Sequence, residues 1–327
     1  MMSVIAVALV LQVPAPLEAY MRQQLAFSER DVRAVSNGMA LVKKLKSSNR
    51  EEIALAGVVR IAAPAGAAAE RFFDLTRSAA RGRTTQFGQF SDPPRASDLA
   101  GFSVPQEDVG LLRSCRTGKC GLKLPAPLID SVRTLDWRLA SAKTNASGIW
   151  QRWLLTYVQG YLARGNNALV SYADRGTPLP LHTGFHTIIQ PTPYMYAPVP
   201  EFHHYLDEFP ARRLPGARDA IYWWTETIPG LRPVTSVTHA TLYRPPPQSG
   251  VAAIVALKQI FASHYFHAAL AYATIVEAGP GAGDSVYVIY YQRLLFDTDL
   301  GGLIRRTAES KLESEVRSRL TAVQRGS

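Results

Sequence analysis

The run Val251-Ala-Ala-Ile-Val-Ala-Leu-Lys-Gln-Ile-Phe-Ala-Ser-His-Tyr-Phe-His-Ala-Ala-Leu-Ala-Tyr-Ala-Thr-Ile-Val276 holds no Gly or Pro and admits two readings. Its alanine content suits one long helix. Against that, Val255, Leu257, Gln259 and Phe261 alternate with Ala256, Lys258 and Ile260, which is the period of a strand. We read two strands that meet near Ser263-His264-Tyr265. A turn follows at Gly279-Pro-Gly-Ala-Gly283. Because these glycines lie between strands and open no helix, they form a hairpin connection and not a dinucleotide loop. The aromatic, β-branched stretch 285–296 is the next strand. Beyond it Leu300, Leu303, Ile304, Ala308, Leu312, Val316, Leu320 and Val323 recur at steps of three and four, so the chain ends in an amphipathic helix. That apolar stripe needs a large surface, and the antiparallel strands just before it are the nearest candidate.

Read this way, the C-terminal part of the chain resembles the START-like, helix-grip (SRPBCC-type) superfamily. The resemblance rests on Lys258-Gln-Ile-Phe-Ala-Ser-His-Tyr-Phe266, on the strand closing at residues 293–297 and on the final helix. It implies an α+β fold in which a curved antiparallel β-sheet grips a long C-terminal α-helix over an apolar cavity. Additional helices and a proline-rich wall complete the expected architecture. A lipid, sterol-like terpenoid or fatty acid is the implied ligand class. No catalytic residue is carried over.

The chain of 327 residues, 47% hydrophobic, is long enough to bury a large core. The formal charge of +10 points to acidic partners such as an anionic membrane. Its basic residues are dispersed, the densest group being Lys43-Lys44-Leu45-Lys46, and this pattern argues against nucleic acid as a partner. The stretch from Met1 to Ala19 carries a short apolar segment, a proline break and a small residue, as a signal peptide does, although a basic n-region is missing. The expectation is a leader over residues 1–19, one START-like domain over 20–327, and a periplasmic or secreted location. In Cys115-Arg-Thr-Gly-Lys-Cys120 the two cysteines flank a Thr-Gly turn and suit a small-loop disulfide in an oxidising compartment.

Along the rest of the chain, Ser28 is an expected helix cap, and residues 39–46 and 51–62 an expected strand pair. Pro64 opens an alanine-rich helix. Residues 81–104 read as a long loop, and Glu107-Asp108 as a solvated helix start. Helices are expected over 126–142 and over 148–164, the second capped by Ser147 and carrying the stripe Trp150, Trp153, Leu154, Tyr157, Val158, Tyr161 and Leu162.

The segment 178–215, rich in proline and aromatic residues, is too apolar for a linker and reads as a wall over the main sheet, followed by strands at 219–227 and 233–244. His182, His186, Glu201, His203 and His204 offer zinc-type donors, but Gly184 and the prolines argue against a helical histidine pair, and no metal or other cofactor is assigned. His264 with Asp297 or Asp299 is a further acid-base candidate. The reading that unites these features is a carrier for a hydrophobic small-molecule ligand, the alternative being an enzyme that uses histidine and carboxylate groups in the same cavity. Lys258 and Arg293 are the expected head-group contacts. His264, Tyr265 and Tyr291 are their hydrogen-bonding neighbours, and Trp223 and Tyr157 are expected to line the cavity as further ligand contacts.

Overall fold

The computed structural model describes residues 13–189, 195–197, 199–212, 214–227 and 230–325, and the side chains of helix 65–83 up to residue 74. In chain order the elements are α1 (Ala15–Gln23), α2 (Glu29–Ser36), β1 (Leu41–Lys44), β2 (Glu52–Ile61), α3 (Ala65–Arg83) and β3 (Thr84–Gln89). Next come α4 (Val109–Ser114), α5 (Ala126–Arg133), α6 (Ala142–Arg164), β4 (Ser171–Tyr172), β5 (Leu179–Pro180), α7 (Leu181–Ile189) and α8 (Pro200–Glu208). The chain finishes with β6 (Arg218–Glu226), β7 (Val234–Tyr243), β8 (Ala253–Ala262), β9 (Phe266–Glu277), β10 (Val286–Phe296) and α9 (Gly302–Arg325). This is an α+β fold with one large antiparallel sheet and a C-terminal helix.

The stretch 251–276 forms two strands, β8 and β9, that pair with each other across the turn at Ser263-His264-Tyr265. Tyr265 takes a positive φ of 61° there, and the Phe266 N–H donates to the His264 carbonyl, which tightens the reversal. The eight-stranded sheet runs β1-β2-β10-β9-β8-β7-β6-β3, so the last strand closes against the second and the terminal helix lies beside the N-terminal strands.

Helices cover both faces. On one, Phe72 and Phe73 of α3 and Val316, Leu320 and Val323 of α9 pack against Leu55, Ala240, Val255, Ala273 and Tyr290. On the other, Leu17 of α1, Trp150 and Leu154 of α6, Phe185 of α7 and Phe202 of α8 pack against Val58, Val237, Ile260, Leu270 and Tyr291. This double cover makes every residue of β7 buried and removes the apolar-polar alternation of a one-sided sheet.

Gly57 on β2 lets α9 approach closely, since a Cβ there would stand 2.6 Å from Leu320 Cδ1. The stripe of α9 is buried only in its second half. Leu303 and Ile304 are 80% and 65% exposed.

Local sequence signals hold at several places. Ser28 caps α2, its hydroxyl accepting from the Asp31 N–H while the Asp31 carboxylate accepts from the Ser28 N–H. β1 and β2 pair as an antiparallel hairpin, and the Pro178–Pro215 wall is built from α7 and α8, with Leu181, Phe185, Ile188, Phe202 and Leu206 buried on the sheet.

Others change. Residues 81–104 are not wholly loop, because Thr84–Gln89 adds an edge strand against β6. The helix expected over 126–142 ends at Arg133, and α6 begins at Ala142, so Ser147 lies inside it. There the Ser147 hydroxyl donates to the Lys143 carbonyl one turn back and accepts from the Val104 N–H.

Of the expected leader, residues 1–12 lie outside the described residues. Ala15–Gln23 is α1, whose Leu17 and Met21 are fully buried, so a junction after Ala19 falls within that helix. Cys115 and Cys120 are joined as a disulfide. Its small loop is pinned to the chain at 173–174 by the Gly118 and Cys120 N–H groups, which donate to the Ala173 and Asp174 carbonyls.

Candidate ligand groove and buried polar networks

On the face shared by α3 and α9, Leu257 and Gln259 of β8 and Gln292 of β10 stay half-buried although these strands lie inside the sheet. The register explains the opening. Leu257 stands opposite Ala240 and Ala271, Gln292 opposite Ala271, and Gln259 opposite Ala269. The alanines lie on the strands that flank β8, Ala240 on β7 and Ala269 and Ala271 on β9, and are themselves buried while the longer side chains between them reach the surface. α3 is anchored to one side of this strip by Phe72 against Tyr290, with ring centroids 5.5 Å apart, and by Phe73 against Tyr222 at 6.4 Å. On the other side α9 is seated over Gly57. Trp224, Phe266 and Leu312 are further half-buried apolar side chains on this face.

Among the described residues on this face, Gln259 and Gln292 supply neutral polar groups, and Arg319, Glu315 and Glu226 supply charged ones. The Gln259 amide donates at 3.1 Å to the Ser236 hydroxyl, while its carbonyl oxygen and the whole Gln292 amide make no side-chain hydrogen bond among the described residues. Arg319 of α9 is engaged beside the groove, donating at 3.1 Å to the Tyr290 hydroxyl and lying 3.7 Å from Glu315.

Five of the seven sequence-nominated ligand contacts lie on the opposite face of the sheet. Lys258 is 1% exposed. Its ammonium donates to Asn166 Oδ1 and, at 3.0 Å, to the Leu206 carbonyl, and it sits 4.3 Å from the Phe185 ring centroid. Burial lowers its pKa from the usual value to about 7. Because Leu206 is in the last turn of α8, Lys258 acts as a cationic cap on that helix end.

Arg293 donates at 2.5 Å to Glu52 and at 2.8 Å to the Ile188 carbonyl, which closes the end of α7 in the same manner. Tyr291 shares a hydrogen bond with Tyr20 of α1 and accepts from the Tyr196 N–H. Burial raises the Tyr291 pKa well above the usual phenol value. Trp223 donates from its indole to the Asp98 carbonyl at 2.9 Å. The Tyr157 hydroxyl donates to the Ile260 carbonyl and accepts from the Val170 N–H. All five fasten helices and loops to the sheet.

The remaining two lie at the β8–β9 turn. Tyr265 accepts from the Arg232 N–H at 2.9 Å. His264 Nε2 lies 3.1 Å from Asp108 Oδ1, in place of the expected Asp297 or Asp299 partner, and Asp297 instead takes Lys123 and Arg175. Asp108, expected in solvent, is fully buried, because the turn docks onto the start of α4.

His182 and His186 do form a helical i, i+4 pair on α7. Gly184 is tolerated between them because it lets α7 reach β9, where a Cβ would stand 2.7 Å from the His267 ring. Both histidines are exposed, and among the described residues no group of three His, Cys, Asp or Glu side chains is placed to hold a metal.

One network escaped the sequence reading altogether. His239 Nε2 meets Asp219 Oδ1 at 2.8 Å, and its Nδ1 meets the Tyr161 hydroxyl at 2.9 Å. A carboxylate only accepts, so the network assigns the imidazole proton to Nε2, and Tyr161 donates to Nδ1. Tyr205 and Thr241 also donate to Asp219, at 2.5 and 2.7 Å. Burial would raise the Asp219 pKa, but the bonds from His239, Tyr205 and Thr241 outweigh it and hold the carboxyl below its usual value. The visible signal was a His at the centre of a strand with no other titratable side chain but its terminal Tyr243. Its partner depended on the β6–β7 register, in which Asp219 faces Thr241 and sits diagonal to His239.

No protein-family model matches the chain, and a search of the curated proteins found no match, so the functional reading rests on the groove and its chemistry.

Proposed function

We propose that the chain binds and transports a hydrophobic small molecule of the lipid or terpenoid kind, held in the groove between α3 and α9 in the manner of a START-like, helix-grip protein. The observation that carries this reading is the half-buried strip of Leu257, Gln259 and Gln292 beside Ala240, Ala269 and Ala271, on inner strands that are otherwise mostly buried. Apolar concave surface with a few polar groups is the usual form of a small-molecule site. Export to the periplasm or beyond accompanies the reading, and the Cys115–Cys120 disulfide supports it. The exposed Leu303 and Ile304 next to Arg305 and Arg306 support transient contact with an anionic membrane. The rival reading, an acid-base enzyme, draws on Asp219–His239, which lies on the other face.

The test is displacement of the neutral dye Nile red, together with mass spectrometry of organic extracts of the purified protein. Ala271→Trp fills the floor of the groove. The expected result is a co-purifying apolar compound and saturable dye binding, both lost in an Ala271→Trp protein that keeps its unfolding midpoint. Equal binding by the two folded proteins would remove the groove from consideration.

A further inference from the structure

The exposed large apolar side chains gather at one end of the sheet. Strand register brings Glu52 of β2, Phe296 of β10, Phe266 of β9, Ala262 of β8 and Val234 of β7 to that end. Among the described residues the exposed large hydrophobics are Met39, Leu139, Leu231, Leu303 and Ile304, and all but Met39 lie there. Leu303 and Ile304 open α9, whose Arg305 fastens it by donating to the Arg50 and Glu52 carbonyls at 2.7 and 2.6 Å. Leu231 is in the β6–β7 connection, where the Arg232 N–H donates to the Tyr265 hydroxyl and its guanidinium to the Glu107 carbonyl. Leu139 immediately precedes α6, whose Lys143 donates to Gln106, the neighbour of that same Glu107. Met39 belongs to the far end, where Gln324 of α9 donates to the Gly38 carbonyl.

Exposed cations stand among these tips. Lys46 is in the β1–β2 hairpin, Arg306 follows Arg305 on α9, and Lys119 is in the disulfide loop, which Asp174 and Arg175 join to Asp297 at the end of β10. Among the described residues none of these three cations is in an ion pair, and the Arg116 and Arg232 guanidinium groups hold only carbonyl oxygens. The nearby carboxylates are largely matched, Asp136 by Arg138, Asp297 by Lys123 and Arg175, and Asp299 by Arg50. Glu51 and Glu107 are the exceptions, and the cations outnumber them. The contact of α9 noted above is thus one part of a larger face. Going beyond that contact, and independently of the groove, we propose that this whole end of the sheet docks on an anionic lipid bilayer. Leu139, Leu231, Leu303 and Ile304 enter the headgroup boundary, and the free cations pair with anionic headgroups. The apolar tips stand on separate connections, α9 on one face of the sheet and α6 on the other, so they form no single groove. A broad, deformable lipid surface accepts all of them together. A second copy of the chain would bring the same positive charge against this face, whereas anionic lipid neutralises it.

Co-sedimentation at low ionic strength with vesicles of phosphatidylcholine alone, or of equimolar phosphatidylcholine and phosphatidylserine, tests this. The wild-type chain is expected to bind the mixed vesicles, and the neutral ones more weakly by roughly tenfold or more. Leu303→Ser with Ile304→Ser, and Leu139→Ser with Leu231→Ser, are each expected to weaken binding to the mixed vesicles roughly tenfold. Lys46→Gln with Arg306→Gln is expected to weaken it by roughly tenfold or more and to leave the neutral vesicles unchanged. Met39→Ser, at the far end, is expected to change nothing. All these side chains are exposed, so the variants should keep the wild-type unfolding midpoint. Failure of the folded wild type to bind the mixed vesicles overturns the proposal. An equal loss in Met39→Ser overturns it too, as does unchanged binding in both leucine pairs, which would leave only adsorption by net charge. Dimerisation abolished by the leucine pairs, without vesicle binding, would reassign the face to a second copy of the chain. Nile red binding in the absence of vesicles reads the groove separately, so either reading can fail alone.

Discussion

Lys258, near the middle of β8, donates its ammonium at 3.0 Å to the carbonyl of Leu206, 52 positions earlier in the chain and in the last turn of α8. Strand and helix are joined there by a cation that is almost wholly out of water.

The pH dependence of stability follows from that contact. The folded-state pKa of Lys258, about 7, lies below the usual 10.5, so the unfolded chain holds the proton more tightly. Stability therefore rises as pH goes from about 7 to about 10.5, and below 7 the full penalty applies, on the order of 5 kcal/mol. Lys258→Met removes this slope but leaves Asn166 Oδ1 and the Leu206 carbonyl without a donor, at about 1–3 kcal/mol. In urea unfolding the variant should be at least as stable as wild type at pH 7 and less stable at pH 10. Parallel curves for the two proteins across that range would contradict the assignment.

The seating of α9 depends on a missing side chain. Gly57→Ala drives a methyl group into Leu320, which is fully buried, and should cost about 1–3 kcal/mol. In a Leu320→Ala background the same change should cost clearly less, because the colliding methyl is gone. A double-mutant cycle with no coupling would show that α9 does not rest on this strand.

The Asp108–His264 pair ties the β8–β9 turn to the start of α4 over 156 positions of sequence. Asp108 Oδ2 already has no partner, so His264→Phe leaves a buried carboxylate with no hydrogen bond at either oxygen. We expect a loss of about 3–5 kcal/mol. Asp108→Leu combined with His264→Phe should recover most of it. Thermal or urea unfolding of the three proteins checks the order, and a double variant weaker than His264→Phe would contradict it.

The disulfide closes a loop of only six residues, for which chain entropy gives about 2 kcal/mol. Protein from its native host should show no free thiol before reduction, and Cys115→Ala/Cys120→Ala should lower the unfolding free energy by about that amount. Two titratable thiols in the unreduced native protein would remove the bond and the inference of an oxidising compartment with it.

The sequence alone determined the elements whose signal is local. Alternation in 253–262 and the polar Ser263-His264-Tyr265 break separated β8 from β9, the Ser28/Asp31 box started α2, and the three-four spacing up to Val323 gave α9. Such features depend on neighbours within a few residues, which the chain order states directly. The tertiary structure alone decided which side of each strand met which helices. With both faces covered, β7 is buried throughout, so nothing in its composition distinguishes the α9 face from the α6–α8 face. That one parity placed Leu257 and Gln259 in the groove and turned Lys258 toward α8. Thr84–Gln89 became a strand only because β6 offered an open edge. Asp219 with His239, and Asp108 with His264, meet through strand register and docking, which bring together groups that no spacing in the sequence connects.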